Sequence, residues 1–337
     1  MIPGVYEEAL AASLATLSAT MTELGLTAGA LEPALEAIEI CRRLAARLPE
    51  AHEDDLADSL SSFGVKLSLL GRHVEALEPS HEAVEVRRRL VGQFPGAYSK
   101  GLATALSNYG LRLSEAGRHR EALEATRQAV EITRRLAAET PGAQEMSLAM
   151  YLTNLGIHLM ATGCYEQSVV AGREAVALRR GQADRLPEAF EVDLAAALTN
   201  FAYRLCSAGK HAHALEPAEE ATRILRRHVA AEPLAHESQL VAALTNQAVA
   251  LHGTRCDEAA LAAIDEAVRL GRELAEDTPE VHGPPLANSL NNRGNYLRAL
   301  GRRADALASY QAAIVVRRRP AAARCPRCTS STLPARC

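Results

Sequence analysis

Hydrophobic positions along this chain repeat with one fixed step. Leucine recurs every 46 residues, at Leu10, Leu56, Leu102, Leu148, Leu194, Leu240 and Leu286. Six prolines keep the same step, at Pro49, Pro95, Pro141, Pro187, Pro233 and Pro279. A fixed period between about 20 and 50 residues is typical of proteins built from stacked structural repeats. The pattern therefore predicts a solenoid of seven repeats, in which each repeat contacts only its neighbours.

The third repeat shows what each repeat contains. In the segment 106–113 the apolar residues are spaced three and four apart, which indicates one face of a helix, and Gly117 is expected to end it. A second apolar face in the segment 122–136 predicts a second helix. Pro141 and Gly142 are expected to stop that helix and to begin the connection to the next repeat.

Small residues recur where the two helices of a repeat are expected to touch. The third repeat has Gly110, Ala122 and Ala129, and the second and seventh repeats have equivalents at Gly64, Ala76, Ala83, Gly294, Ala306 and Ala313. These residues carry at most a methyl group, so the helices can approach closely. The helix-ending glycine recurs as Gly25, Gly71, Gly117, Gly163, Gly209 and Gly301. The sixth repeat has Arg255 instead, so we expect its turn to be strained or differently shaped.

The order of these residues resembles the tetratricopeptide repeat. Its pattern stands in the third repeat as Asn108-Tyr109-Gly110, Gly117-Arg118, Glu121-Ala122-Leu123 and Ala129-Val130. We place the seven copies at residues 11–44, 57–90, 103–136, 149–182, 195–228, 241–274 and 287–319. The usual motif has about 34 residues and closes with proline. Here arginine stands where that proline is expected, and the longer repeat of 46 residues is similar to the kinesin-light-chain-like variety.

This resemblance implies an all-α fold, a right-handed superhelix of about seven helical hairpins whose first helices line a concave groove. It also implies a non-catalytic scaffold that binds a protein or peptide in that groove and needs no cofactor. Similar arrays are attached to bacterial signalling ATPases and caspase-like peptidases. A sensor or regulatory arm of such a multidomain protein is therefore the alternative function.

A ladder of asparagines lies on the helices that the resemblance assigns to the groove: Asn108, Asn154, Asn200, Asn246 and Asn292. A carboxamide both donates and accepts hydrogen bonds, so such a row can hold the backbone of an extended peptide. Further groove residues are expected at Thr153, Thr199, Thr245, Leu111, Ile157 and Tyr203. Tyr203 is the best anchor candidate, because aromatic side chains often dominate binding. Two alternatives stay open: the asparagines bond only a neighbouring helix, and Tyr203 packs between repeats.

A carboxylate clamp is not expected on these helices. Arrays that resemble the co-chaperone type grip a C-terminal carboxylate with lysine and arginine. Here Ser107 and Thr153 stand where lysine is expected, and Leu111, Ile157 and Tyr203 stand where arginine is expected. The ligand of the predicted groove is therefore an extended segment of mixed polar and apolar character.

Arginines form a second repeated feature near the end of the second helices: Arg42, Arg88, Arg134, Arg180, Arg226, Arg272 and Arg318. Glu39, Glu85 and Glu131 stand three residues before the first three of these, a spacing that predicts ion pairs within one helix. Net charge is −4, and aromatic residues make up only 4% of the chain. Little is then available to stack on bases, so we expect no nucleic-acid partner.

Catalytic motifs are absent from the sequence. It has no phosphate-binding G-x(4)-G-K-[ST], no G-x-S-x-G and no H-E-x-x-H, and His119 and Cys164 have no third group at a telling spacing. We therefore expect no enzyme. The first residues lack a basic start and an apolar core, and no apolar stretch is long enough to span a bilayer. Seven irregularly placed cysteines fit a reducing compartment, so a cytoplasmic location without a membrane partner is expected.

The ends of the chain depart from the repeat. Pro3 is in register with the repeating prolines, so the array starts without a capping helix, and self-association through uncapped ends is a third hypothesis. Residues 320–337 do not follow the period and are expected to form a disordered or aberrant tail. Cys325, Cys328 and Cys337 in this tail are one ligand short of a zinc site, so no metal is expected. Both ends favour a piece of a longer signalling protein.

Overall fold

The helices of this protein form a regular series of hairpins. The computed structural model describes residues 3–140 and 142–318, which contain fourteen α-helices and no strand. The first helices of the hairpins, here the A helices, are α1 (Pro3–Glu23), α3 (Pro49–Leu69), α5 (Pro95–Glu115), α7 (Glu145–Ala161), α9 (Pro187–Ser207), α11 (Pro233–Gly253) and α13 (Pro279–Ala299). The second helices, here the B helices, are α2 (Leu31–Arg47), α4 (Leu77–Gln93), α6 (His119–Glu139), α8 (Tyr165–Arg185), α10 (His211–Ala231), α12 (Asp257–Asp277) and α14 (Arg303–Arg318). The predicted all-α fold of about seven hairpins is confirmed, whereas the tail at 320–337 lies outside the described residues.

Proline begins most of the A helices. Pro49 is the first residue of α3, where its missing N–H removes no helical hydrogen bond and its fixed φ is already helical. Only one residue, Leu48 with φ −143° and ψ 79°, separates α3 from α2. The third repeat differs, because α6 ends at Glu139 and Gly142 adopts φ 86° before α7 begins. The predicted stop of the second helix is therefore confirmed there, and each of the other five junctions between a B helix and the next A helix is a single residue.

The two helices of a hairpin meet at small residues, as predicted. Gly110 of α5 is buried, and a β-carbon there would lie 3.2 Å from the carbonyl oxygen of Ala122 in α6 and would overlap the Thr126 hydroxyl. Ala122 and Ala129 are themselves fully buried. Any larger side chain at Gly110 would push the helices apart, and close packing leaves little room for such a shift.

Residues with left-handed backbone close the hairpin turns. The six turn glycines have φ between 74° and 78°: Gly25, Gly71, Gly117, Gly163, Gly209 and Gly301. Arg255 takes φ 67° in the sixth hairpin, and its N–H donates to the carbonyl of His252 over 3.0 Å. The amide of Gly117 makes the equivalent bond to Ser114 over 3.0 Å. The sixth turn therefore keeps the common shape and carries strain, since a side chain disfavours this conformation.

Contacts divide the chain into two compact units, Met1–Gln182 (unit 1) and Ala183–Cys337 (unit 2). The repeating leucines form part of the core in both units and are 2–7% exposed: Leu56, Leu102 and Leu148 in unit 1, and Leu194, Leu240 and Leu286 in unit 2. The first of the series, Leu10 on α1, is 47% exposed. Burying one leucine side chain contributes roughly 1.5–3 kcal/mol. The buried leucines are thus a main source of stability within each unit.

Buried basic side chains also follow the 46-residue step, and this ladder was not predicted. Lys66, Arg112, His158 and Arg204 occupy the same place on successive A helices, and each is at most 8% exposed. Burial lowers the pKa of all four, to about 10 for Arg204 and to about 4 for His158, where nearby His119 adds to the effect. Within the described part of the chain, neither ring nitrogen of His158 has a hydrogen-bond partner. His158 is therefore neutral in the folded protein at neutral pH.

We predict that replacing Arg255 by glycine stabilises the protein. Glycine relieves the left-handed strain but adds entropy to the unfolded chain, so the net gain in the free energy of unfolding should be about 0.5–1 kcal/mol. Urea unfolding followed by circular dichroism measures it. Arg269→Gly, in the interior of α12, is the matched control and should lose about 1 kcal/mol. A destabilised Arg255→Gly variant would contradict the strain.

We also predict a pH dependence that originates at His158. Its folded pKa of about 4 lies below its ordinary value of 6.5, so the unfolded chain binds more protons between these values. The contribution of His158 to stability is complete above pH 6.5 and is lost as the pH falls toward 4, by on the order of 2–3 kcal/mol. Urea unfolding across this range should show the loss in the wild type and less of it in His158→Leu. Parallel pH profiles for the two proteins would show that His158 is not responsible.

Candidate functional site

The A helices of unit 2 surround an open depression of about 500 Å³. Its lining residues come from α9, α11 and α13: Tyr203, Cys206, Ser207, Thr245, Asn246, Val249, Asn288, Asn291 and Asn292. Four of these are asparagines. The depression brings together four of the residues predicted for the groove, namely Tyr203, Thr245, Asn246 and Asn292. It also contains Asn288 and Asn291, which the ladder did not include because they lie off its 46-residue step.

Tyr203 provides the largest exposed aromatic surface of this depression. The residue is 53% exposed, so its ring is accessible to a ligand. Cys206 lies one helical turn further on α9 and is buried, and this burial raises the pKa of its thiol to about 11. The thiolate form is therefore disfavoured at neutral pH, and Cys206 acts as an apolar residue rather than as a nucleophile.

The asparagine ladder is used partly for packing. Asn154 Nδ2 donates to Ser107 Oγ over 3.2 Å in unit 1, and Asn246 Nδ2 donates to the carbonyl of Thr199 over 3.0 Å in unit 2. Each bond fastens an A helix to the A helix before it. The other members of the ladder differ in exposure: Asn200 is exposed, whereas Asn108 and Asn292 are half-buried. The alternative role, bonding to a neighbouring helix, is thus present at two positions.

The threonine hydroxyls beside the asparagine ladder form hydrogen bonds within their own helices. Thr153, Thr199 and Thr245 each donate to the carbonyl four residues earlier, over 2.8–2.9 Å. Thr199 is buried, so it offers little surface to a ligand, whereas Thr153 and Thr245 are half-buried. The corresponding face of unit 1 carries Ile157, which is 49% exposed, and the half-buried Leu111. Of the predicted groove residues, Tyr203, Thr245, Asn246 and Asn292 of unit 2 thus line the depression described above.

A smaller cavity of about 260 Å³ lies beside the depression, between α11, α12 and α13. Its walls include Val241 on α11, Gly271 on α12 and Leu286 on α13. The cavity and the depression share three lining residues: Thr245, Asn246 and Asn288. The two concavities of unit 2 are therefore adjacent and have a common polar border.

The arginine ladder pairs mainly across hairpins. Four arginines reach the next B helix, each to a residue 40 positions later: Arg42 to Glu82, Arg88 to Gln128, Arg134 to Glu174, and Arg226 to Glu266. The predicted pair within one helix is found for Glu85 and Arg88, over 2.9 Å. The prediction was wrong for Glu39 and Glu131, because the next B helix presents a carboxylate in reach of the same guanidinium. Such exposed pairs contribute about 0–1 kcal/mol each, and they neutralise the stripe locally.

The other candidate chemistry is dispersed. His119 Nδ1 lies 3.5 Å from Ser114 Oγ, and Cys164 Sγ lies 3.9 Å from the carbonyl of Thr162. In residues 3–140 and 142–318, no three side chains of the metal-binding types are grouped closely enough to hold an ion. None of the described helices combines the length and the apolar character needed to cross a membrane.

Several solved structures have a similar fold. BtubC (BKLC) from P. vanneervenii matches with a TM-score of 0.55 at 18% identity, over 77% of this chain and 97% of that one. A putative kinesin light chain with nearly identical TPR-like repeats from Podosopora anserina has a TM-score of 0.50 at 19% identity, over 65% and 95%. A Signal Transduction ATPase with Numerous Domains (STAND) with a tetratricopeptide repeat sensor, PH0952 from Pyrococcus horikoshii, has a TM-score of 0.64 at 14% identity, over 93% and 44%.

Sequence comparisons give the family. Comparison with curated proteins finds no match. A family model described as the tetratricopeptide repeat matches five segments that together make up more than half of the chain: 10–47, 56–95, 102–139, 194–233 and 286–319. These segments pair about two thirds of an A helix with the following B helix, as the hairpins of the structure do. The chain belongs to the tetratricopeptide repeat family.

Proposed function

We propose that this protein is an interaction scaffold that binds an extended peptide segment of a partner protein on the A helices of unit 2. Membership of the tetratricopeptide repeat family supports a protein-binding role. The peptide site itself is proposed from the depression in unit 2. There the exposed Tyr203 lies together with four asparagines: Asn246, Asn288, Asn291 and Asn292. A catalytic role has no comparable support among the described residues.

The chemistry of the depression suits a peptide backbone. Backbone N–H and C=O groups need both acceptors and donors, and a carboxamide offers both. Each such hydrogen bond contributes about 1 kcal/mol net. Asn246 is oriented in advance, since its Nδ2 is held by the carbonyl of Thr199 and its Oδ1 is left to accept from a ligand. A side chain that is already ordered loses less entropy on binding, which favours affinity.

Tyr203 is expected to anchor the bound segment. Aromatic residues at the centre of an interface commonly contribute about 2 kcal/mol or more when truncated to alanine. With about 1.4 kcal/mol for each factor of ten, this corresponds to a loss of roughly 30-fold in affinity. The asparagines would add directional bonds around that anchor and would each contribute less.

The test is a selection with a random 12-residue peptide library on the full chain, followed by affinity measurements of the selected peptides. We predict that Tyr203→Ala weakens them by roughly 30-fold, because the aromatic anchor is removed, while the helical circular dichroism spectrum stays unchanged. Tyr165→Ala is the matched control: Tyr165 is an exposed tyrosine on α8 that does not line the depression, and its loss should leave the affinity unchanged. No selected peptide, or equal loss in both variants, would refute the proposed site.

A second candidate function is the sensor or regulatory arm of a signalling ATPase. The similarity to the STAND protein favours it, since this chain corresponds to 44% of a protein that has a tetratricopeptide repeat sensor. We predict a phosphate-binding loop motif in the genomic sequence that flanks the coding region, on the same strand. Sequencing both flanks and translating all frames would reveal it. Flanks that encode only unrelated genes would exclude a severed ATPase arm.

A further inference from the structure

The cavity between α11, α12 and α13 is bordered by a glycine of a B helix, Gly271. In the other six hairpins the place of Gly271 is taken by larger residues: Cys41, Arg87, Thr133, Arg179, Leu225 and Arg317. A β-carbon at Gly271 would lie 3.5 Å from Leu286 Cδ1 and 3.9 Å from Val241 Cγ1, which are ordinary contact distances. Crowding therefore does not require glycine at position 271. The backbone does not require it either, because position 271 has an ordinary helical conformation.

Glycine at this place is unfavourable for α12. Inside a helix it is less stable than alanine, because it loses more conformational freedom on folding. It also leaves unfilled volume, which a close-packed interior normally avoids. The preceding hairpin shows the filled arrangement, since Leu225 has the same place on α10 and is only 1% exposed. The gap at Gly271 thus lowers stability without an evident structural benefit.

Several of the polar groups around this cavity are already engaged within the protein. Thr245 Oγ1 donates to the carbonyl of Val241 and lies 3.1 Å from Ser289 Oγ. Asn246 Nδ2 is bound to Thr199 over 3.0 Å. Most of the remaining wall is apolar and is formed by Val241, Ala242, Leu274, Pro285 and Leu286, and the other polar residues that line it are Ser238, His282 and Asn288. An occupant therefore gains mainly by burying apolar surface.

The size of the cavity selects a side chain rather than a whole ligand. Its 260 Å³ lies below the range of about 300–1,000 Å³ for small-molecule sites. Thr245, Asn246 and Asn288 border both the cavity and the depression with Tyr203. A peptide lying over that depression could therefore place one side chain into the cavity.

We propose that this cavity is an anchor pocket for one leucine-sized aliphatic side chain of the bound peptide. The proposal rests on the peptide-binding function and names the side chain that the site selects. Leucine is the expected size because Leu225 is the residue that fills the corresponding place in α10. The pocket and Tyr203 would then act as two anchors, with the asparagines holding the backbone between them.

The decisive variant is Gly271→Leu in the full chain, which gives α12 the residue that α10 has. We expect the selected peptides to share an aliphatic residue at one position and to bind Gly271→Leu at least tenfold more weakly. The urea midpoint should stay equal or rise, because the leucine fills the cavity. Gly92→Leu is the matched control, since Gly92 is an exposed glycine within α4 with no atom near its β-position. Gly271→Ala, which adds only a methyl group, tests the site if the leucine variant fails to fold.

A second probe does not depend on the selected peptides. Saturation-transfer NMR with N-acetyl-leucinamide should give a signal with the wild type and none with Gly271→Leu, whereas N-acetyl-asparaginamide should give none with either. Peptides that lose affinity with Tyr203→Ala but not with Gly271→Leu would overturn the pocket and leave the peptide-binding function intact. A library that yields no peptide would overturn that function, while a Gly271-dependent leucinamide signal would still support the pocket. Self-association in sedimentation that Gly271→Leu abolishes would overturn the peptide as occupant in favour of a second copy.

Discussion

Each hairpin of this chain has apolar surface that it cannot bury alone, and the structure depends on this constraint. The repeating leucine shows it directly: Leu56 and Leu102 are buried, whereas Leu10, on the first helix of the series, is half exposed. In a solenoid, stability is approximately the sum of repeat terms and nearest-neighbour interface terms. The seams between neighbouring hairpins therefore fix both the stability of a unit and the relative positions of its A helices.

The same seams order the surface on which we propose that a peptide binds. Small residues such as Gly110 and Ala122 bring the two helices of a hairpin into close contact. The two helices therefore have little freedom to shift relative to each other. Asn154 and Asn246 then fasten successive A helices through hydrogen bonds. The asparagine ladder thus stabilises the array at some positions and remains exposed at others, as at Asn200, and the exposed positions lie on the face that we propose for binding.

The sequence predicted the parts of this structure that are local or strictly periodic. Hairpins, turn glycines and small contact residues follow from spacing alone, because each depends on residues close in the chain or on one 46-residue step. The choice of ion-pair partner does not follow from spacing. Arg42 has Glu39 within its own helix and Glu82 on the next hairpin, and the geometry of the seam, which no spacing rule contains, selects Glu82. The burial of His158 and the cavity at Gly271 depend on side-chain packing in the same way.

Departures from the repeat are informative because the other hairpins show what each position requires. The sixth hairpin has two: Arg255 accepts a left-handed backbone that the other turns give to glycine, and Gly271 leaves a gap that Leu225 fills one hairpin earlier. Local rules that are broken without a structural gain tend to mark functional sites. Strain at Arg255 has no such link, because this residue lines neither concavity. Gly271 does line one, and this difference from Arg255 supports the binding role that we propose for the cavity at Gly271.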